Sequence, residues 1–341
     1  MARAVVTGGA GFIGSNLAHR LLAAGHHVTV FDNLSRSGSQ ANLDWLRTTR
    51  SAVHLRAIVG DVRDFEALGD ALEGADRVYH LAGQVAVTDS VRDPRADFEA
   101  NAVGTFNLLE ALRGLPQRPV LIYSSTNKVY GDLGSIELVE EPTRYRFADL
   151  PFGVSENQAL DFHSPYGCSK GAADQYVRDY CRVYGLRAVV MRQSCIYGTR
   201  QFGIEDQGWV AWLATAALRG LPITIFGDGK QVRDLLFIDD LLDVYEAAVD
   251  RIDRVQGEIY NIGGGPANTL SVWQELGPVL ERHAGRSIAV SHDLWRVGDQ
   301  RVFVSDIRKA ERELGWRPRI GVEEGIRSLI EWIRENDALG A

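Results

Sequence analysis

The sequence predicts an α/β protein, a doubly wound parallel sheet followed by a smaller C-terminal α/β region, and three observations carry that prediction. Short β-branched runs alternate with amphipathic stretches through about residue 195, a glycine-rich turn joins the first run to the first amphipathic stretch, and beyond 195 the alternation becomes irregular. Alternation of this kind suits parallel strands whose crossover helices cover both faces of the sheet. Strands are expected at roughly 3-7, 27-31, 54-59, 77-81, 119-124 and 187-192, with apolar-periodic helices at 12-24, 96-113 and 168-184. The later part reads as a helix near 208-219, strands near 223-226, 233-238 and 258-262, and helices near 239-250, 270-284 and 322-335. The division expected from this is a cofactor-binding unit over 1-195 and a mainly substrate-binding region over 196-341, packed against one cleft because no Pro/Ser-rich linker separates them.

Composition narrows the function classes. Of 341 residues, 45% are hydrophobic and 24% charged, enough for a large core and unlike a disordered chain. The chain opens directly into a strand pattern, and no apolar run reaches the roughly 18 residues of a membrane span. A cytoplasmic protein with no membrane partner is expected. The net charge of -8 offers nucleic acid no general attraction, so none is expected as a partner. Cys168, Cys181 and Cys195 lack the paired spacing of a zinc site, so the expectation is reduced thiols and no metal. Arginine supplies 33 of the 37 basic residues; only Lys128, Lys170, Lys230 and Lys309 are lysine. A retained lysine in such a chain marks a place where a compact ammonium serves better than a guanidinium fork.

The first strand runs into Thr7-Gly8-Gly9-Ala10-Gly11-Phe12-Ile13-Gly14 and then into a helix. In this pattern Gly8 permits the tight turn, Gly11 lets the backbone approach a pyrophosphate, and Gly14 allows close helix-strand packing, with the helix N-terminus favouring negative charge. Asp32 ends the second strand, where an acid accepts hydrogen bonds from adenosine ribose hydroxyls and repels a 2′-phosphate, so NAD is the expected cofactor. Arg36 stands just beyond and is equally able to accommodate a 2′-phosphate, pair with Asp32, or lie in solvent. Asp61 and Val62 after the third strand are candidates for the adenine, and Leu81-Ala82-Gly83 after the fourth for close backbone approach. Phe12, Ile13, Asn33, Ser35, Asn101, Ser124 and Gln193, with Tyr166 and Lys170, complete the candidate cofactor contacts.

Tyr166 and Lys170 lie four residues apart at the start of a helix, on one face. A tyrosine is a poor base at its reference pKa of about 10, and a neighbouring ammonium with an oxidised nicotinamide favours its phenolate. Such a group removes a hydroxyl proton as hydride leaves the same carbon. Thr126, at the end of the fifth strand, is positioned to hydrogen-bond the reacting oxygen.

With glycine turn, Thr126 and Tyr166-x-x-x-Lys170 together, the whole chain resembles the extended short-chain dehydrogenase/reductase family of nucleotide-sugar enzymes, built on a Rossmann-type fold. The resemblance implies a catalytic trio of Thr126, Tyr166 and Lys170, a bound NAD, and a C-terminal region that grips a sugar nucleotide. It also implies diphosphate and ribose contacts at Arg233, Arg296 and Asp299, joined by Arg301, each of which has a surface ion pair as its alternative. Related dehydratases carry an Asp-Glu pair after the threonine and related decarboxylases a glutamate in that loop, whereas this chain has Asn127-Lys128. Without those carboxylates, removal and return of hydride is favoured over elimination.

Longer strings sharpen the resemblance. Ser124 to Asp132, Asp161 to Lys170 and Asp206 to Val210 look like the branch of the family that epimerises CDP-linked sugars at C2. A CDP-sugar is therefore the favoured substrate, with Thr88, Thr126, Asn127, Ser194, Gln201 and Gln207 as further candidate contacts. Asp206 lies in the same polar stretch, and His163 is a site residue or a helix-start packing residue. The polar details of Arg192 to Tyr197 depart from the branch and leave the sugar open; Cys195 is read as a packing thiol, since hydride chemistry needs no sulfur nucleophile. The alternatives are a 4-epimerase or another nucleotide-sugar oxidoreductase, and, outside catalysis, an NAD-binding sensor. The family's four-helix contact implies a homodimer or homotetramer through the helices expected near 96-113 and 168-184.

Overall fold

The computed structural model describes residues 1–296 and 298–336; Val297 and the last five residues of the expected C-terminal region lie outside them. Strand and helix alternate from the start: β1 (Arg3–Thr7), α1 (Phe12–Ala23), β2 (His27–Asp32), α2 (Ser39–Thr48), β3 (Leu55–Val59), α3 (Phe65–Leu72) and β4 (Arg77–His80). Then come α4 (Val87–Arg92), α5 (Pro94–Phe98), α6 (Gly104–Gly114) and β5 (Val120–Thr126). The single helix expected over 96-113 is thus divided. Asp93 caps α5 by accepting from the Ala96 amide at 3.0 Å, and a π-helical turn over Glu99–Val103 joins it to α6 with Asn101 buried. Short π segments of this kind occur disproportionately at functional sites. A hairpin, β6 (Leu138–Glu140) and β7 (Tyr145–Phe147), precedes α7 (Pro165–Tyr184) and β8 (Ala188–Gln193).

The rest of the chain supplies β9 (Cys195–Tyr197), α8 (Trp209–Arg219), β10 (Ile223–Phe226), β11 (Val232–Phe237), α9 (Ile238–Asp250), α10 (Ile252–Val255), β12 (Ile259–Ile262) and β13 (Thr269–Ser271). It closes with α11 (Leu276–Ala284), β14 (Val290–Asp293), β15 (Val302–Phe303), α12 (Arg308–Leu314) and α13 (Val322–Glu335). The helix expected from 270 starts only at Leu276. Residues 269–271 instead pair antiparallel with β11, and Ser271 and Glu275 exchange side chain-to-amide bonds of 2.9 and 2.8 Å ahead of the helix.

Among the described residues, seven strands form one parallel sheet in the order β12-β8-β5-β4-β1-β2-β3. The strand near 258-262, expected in the smaller region, instead belongs to the main sheet: β12 lies beside β8, with Ile259 opposite Val190, and all four of its side chains are buried. A strand covered on both faces belongs to a central layer, so the boundary drawn at 195 is crossed by a return of the chain. Two buried apolar clusters cover the two faces of the sheet, one running on into α8, α9 and α13. The strand order reverses at β1, between β4 and β2, and in open α/β sheets the crevice beyond the strand ends at such a point takes the ligand. Among the described residues no helix is long and apolar enough to cross a membrane.

Candidate active site

The glycine turn occupies that crevice. Gly8 has φ +69°, and a Cβ there would lie 2.7 Å from the Ala82 amide nitrogen, so only glycine lets the turn press against the end of β4. Gly14, in the first turn of α1, comes so close to Gly8 that a Cβ would sit 2.2 Å from its carbonyl oxygen. Gly11 is the N-cap and makes no side-chain capping bond, which leaves helix-end amides for a ligand anion. Phe12 and Ile13 line the cleft that opens there. Asp32 reaches back from β2, its carboxylate accepting from the Ala10 amide at 3.0 Å and the Leu34 amide at 2.8 Å. Burial raises its pKa, while those amides and Arg36 oppose the shift. A half-buried carboxylate beside a glycine-rich helix start fits the adenosine ribose of a dinucleotide.

The other candidate cofactor residues surround this edge. Asn33 donates to Asp61 at 2.9 Å and accepts from the Ser35 amide at 3.1 Å, while Arg63 grips Asp61 and holds its carboxyl well below the usual range. Val62 is buried, and Leu81 and Gly83 line the cleft with Ala82 between them. Asn101 donates to Asp97 and to Ser169, both at 3.1 Å, and its buried carbonyl oxygen, beside Gly83, finds no hydrogen-bond partner among the described residues. Arg36 is exposed and shares its field among Asp89, Tyr166 and Asp32.

Tyr166 and Lys170 enter from the first turns of α7, where Ser164 accepts from the Gly167 amide at 3.0 Å and Pro165 takes the first helical position. Ser90 fixes the start further by accepting from the Tyr166 amide at 3.1 Å. The phenol is buried beside the Thr126 hydroxyl at the end of β5. Burial pushes its pKa up to about 12, with the Thr126 hydroxyl and Arg36 acting against that shift. From sequence, the Lys170 ammonium and a nicotinamide are expected to draw the phenol down; in the protein alone, desolvation of the phenolate prevails. Lys170 donates to the Ser124 carbonyl at 2.5 Å and lies 4.5 Å above the Tyr123 ring. Burial pushes it down to about 8, against the pull of Asp174 and Asp97.

Sequence reasoning missed the buried layer beneath this trio. Asp97 accepts from Ser169 at 2.5 Å, while Asp174 binds both ends of Arg192 at 2.8 and 3.0 Å and accepts from Ser125 at 2.8 Å. Arg192 also donates to Tyr130, whose hydroxyl donates to Asn261 at 2.7 Å. One signal was available: extending the Tyr166, Lys170 spacing by four reaches Asp174. Asp97 had none, since its partner Ser169 is 72 residues away.

A cleft of about 600 Å³ extends from Ile13 and Tyr166 toward α8 and β10, a size suited to a small-molecule ligand. Thr88, Ser124, Thr126, Asn127, Gln193, Ser194, Gln201, Asp206, Gln207, Arg233, Arg296 and Asp299 all line it. Arg233 donates to Asp299 at 2.6 Å, and Arg296 pairs with Asp206 at 2.9 Å while its guanidinium lies 3.9 Å over the Phe226 ring. Asn127 donates to Gln300 at 3.2 Å, Gln193 to Tyr245 at 2.5 Å, and Ser194 to Asp234. The Thr88 hydroxyl and the Gln201 carbonyl oxygen are buried without a partner among the described residues. Arg301 and His163 are not among the described residues lining the cleft. Arg301 lies over the Tyr145 and Trp295 rings, and His163 is held by Asp161 and Asp132 at 3.0 and 3.2 Å. Cys195 accepts from the Trp209 indole at 3.3 Å, and burial raises its thiol, the opposite of an activated nucleophile.

Comparison with known proteins bears on what fills the cleft. The family model described as the NAD dependent epimerase/dehydratase family matches residues 4–263. The chain is 44% identical over 335 residues to CDP-paratose 2-epimerase of Salmonella typhi, covering 96% of this chain and 98% of that one. Among solved structures it is similar to UDP-glucose 4-epimerase of Thermotoga maritima with UDP-glucose, at TM-score 0.83 and 32% identity over 98% and 99% of the two chains. It is similar also to UDP-glucuronic acid 4-epimerase of Bacillus cereus in complex with UDP-glucuronic acid and NAD, at TM-score 0.84 and 28% identity with the same coverage.

Proposed function

Because the chain belongs to the NAD dependent epimerase/dehydratase family, we propose that it is an isomerase that inverts C2 of a CDP-linked sugar, interconverting CDP-paratose and CDP-tyvelose or a closely related pair. The observation that carries this reading is the meeting of Thr126, Tyr166 and Lys170 at one wall of a cleft whose next residues are Asn127 and Lys128 rather than carboxylates. Gly8, Gly11 and Gly14 with Asp32 fit NAD, and the unpartnered Asn101 oxygen beside Gly83 adds an acceptor at the same edge. When bound, NAD supplies acceptance of a hydride from the sugar carbon and its return to the opposite face.

The chain's own residues handle the proton and the charge. Tyr166, as phenolate, takes the C2 hydroxyl proton and gives it back; Thr126 donates a hydrogen bond to the same oxygen. Lys170, fixed by the Ser124 carbonyl, supplies an ammonium that favours the phenolate, while the Thr126 hydroxyl and Arg36 oppose the desolvation that otherwise holds the phenol protonated. Arg233 and Arg296 grip the diphosphate, using charge-assisted bonds that a fixed guanidinium makes well. In this division residues 1–195 carry most of the cofactor site and 196–341 most of the sugar-nucleotide site. The protein works in the cytoplasm as a homodimer or a tetramer built from such dimers.

The deciding experiment incubates the purified protein with CDP-paratose, CDP-tyvelose and UDP- and GDP-hexoses and follows the configuration of each ring carbon by NMR. Inversion at C2 of the CDP-sugars is expected; inversion at C4 alone would overturn the reading, and no turnover of any nucleotide sugar would favour an NAD-binding sensor.

A further inference from the structure

Lys128 is one of four lysines in the chain, and its surroundings differ from those of the other three. Lys230 and Lys309 are held by Glu140 and Glu258 at 2.7 and 2.6 Å, and Lys170 donates to a carbonyl at 2.5 Å. The Lys128 ammonium has three donors, yet among the described residues it has a carbonyl at 3.4 Å, that of Gly298, and a carboxylate oxygen of Asp299 at 3.8 Å. That same Asp299 oxygen already receives Arg233 at 2.6 Å. Burial lowers the Lys128 pKa, Arg233 lowers it further, and Asp299 opposes both. About a fifth of the side-chain surface stays open (21%), and the residue lines the cleft. A mostly desolvated ammonium with donors to spare is costly unless a ligand brings oxygens to it.

Its position restricts which oxygens those are. The Lys128 amide donates to the Thr126 hydroxyl oxygen at 3.2 Å, so its backbone is anchored beside the reacting oxygen. Its ammonium ends beside Asp299 and in the field of Arg233, where the proposed function puts the diphosphate. The side chain therefore runs from the reaction centre to the diphosphate grip. In a hexopyranosyl nucleotide, C2 is bonded to the carbon that bears the diphosphate, whereas C4 lies across the ring. When C2 reacts, the oxygen held at Thr126 and the nearest phosphate oxygens sit on neighbouring atoms of the substrate, within the span of one ammonium, whereas when C4 reacts the ring separates them. A compact, freely rotating –NH₃⁺ suits two acceptors on different groups; a planar guanidinium suits one carboxylate or phosphate.

We propose that Lys128 is a specificity-determining substrate contact whose ammonium bridges the C2 oxygen of the sugar and a β-phosphate oxygen, so that C2 rather than C4 is held at Thr126 and Tyr166. The proposal rests on the C2 reading above.

The test uses the full-length, NAD-loaded protein and two variants, Lys128→Met and Lys128→Gln. For each, kcat and KM are measured on CDP-paratose and CDP-tyvelose, together with the Kd for CDP, the bound NAD and the melting temperature. The expected result is a fall in kcat/KM of roughly a hundredfold, borne mainly by kcat, from loss of charged hydrogen bonds. NAD content and melting temperature should match the parent, and CDP should bind less than about tenfold more weakly, because it lacks the sugar oxygen. Unchanged kcat and KM in either variant would overturn the proposal. So would a loss of CDP affinity as large as the loss in kcat/KM, which would confine Lys128 to the diphosphate. Loss of NAD or of melting temperature in both variants would make the residue structural and overturn it too. Failure of the C2 reading itself is distinguished beforehand, on the parent protein, by inversion at C4 or none.

Discussion

Tyr166 and Lys170 are displaced from their ordinary acidities in opposite directions by one cause, removal of the charged form from water: the phenol rises to about 12 and the ammonium falls to about 8. Catalysis requires both charged forms at once, so substrate and cofactor charges must complete what the protein alone leaves unfinished. Tyr166→Phe should lower kcat by about 10²- to 10⁴-fold while NAD stays bound, checked by NMR turnover and by the nucleotide released on denaturation. For Lys170 the depressed pKa means that the ammonium is present below about pH 8 and lost above it. Thus kcat/KM should fall on the alkaline side with an apparent pKa of about 8. In Lys170→Arg, whose guanidinium stays charged, the residual activity should lack that limb; a limb unchanged by the substitution would assign it to another group. Thr126, Asp32, Tyr166 and Lys170 were legible in sequence because a strand end or a four-residue step announces each. Asp97 and Arg192 were not, since their roles depend on partners brought together by the sheet.

At the scale of elements, periodicity gave the parallel strands and the long helices, and it failed where tertiary pairing decides the local form. The hairpin of β6 and β7 and the three-residue β9 and β13 are too short to show a period; the hairpin strands pair with each other, while β9 and β13 exist because they pair with β11, about 40 residues away along the chain. The division of α5 from α6 was hidden for another reason: the π turn keeps the helical pattern almost intact while moving Asn101 onto the buried side. Along α6 and α7, Phe106 and Tyr176 meet edge to face at 5.8 Å and remain largely exposed, with Tyr184 nearby on α7. Exposed aromatics on two adjacent helices are costly in a monomer and fit the helix pairing of the proposed dimer. Phe106→Glu combined with Tyr176→Glu should convert the dimer to a monomer, halving the mass measured by light scattering, while the secondary structure seen by circular dichroism is retained. An unchanged mass would exclude this face.

For the whole molecule, the cleft belongs to both halves of the chain: Tyr166 and Ile13 form one side, Arg233, Arg296 and Asp299 the other. From the sequence two regions are expected to share a cleft but not a sheet, because β12 carries no mark distinguishing a strand of the main sheet from one in a small appended layer. Its late arrival at the edge of the sheet has a consequence for biosynthesis. Until residues 259–262 leave the ribosome, β8 has β5 on one side and nothing on the other, a fully buried-type strand, Ala-Val-Val-Met-Arg-Gln, left at the sheet edge with one free row of amides and carbonyls. Such an edge recruits other chains. A fragment ending at residue 195 should accordingly appear in the pellet on expression, and one ending near residue 263 should appear there less; equal solubility of the two would contradict this. The nascent protein therefore passes through a stretch of synthesis in which its N-terminal half is nearly complete yet sticky, a window in which chaperones have the most to protect.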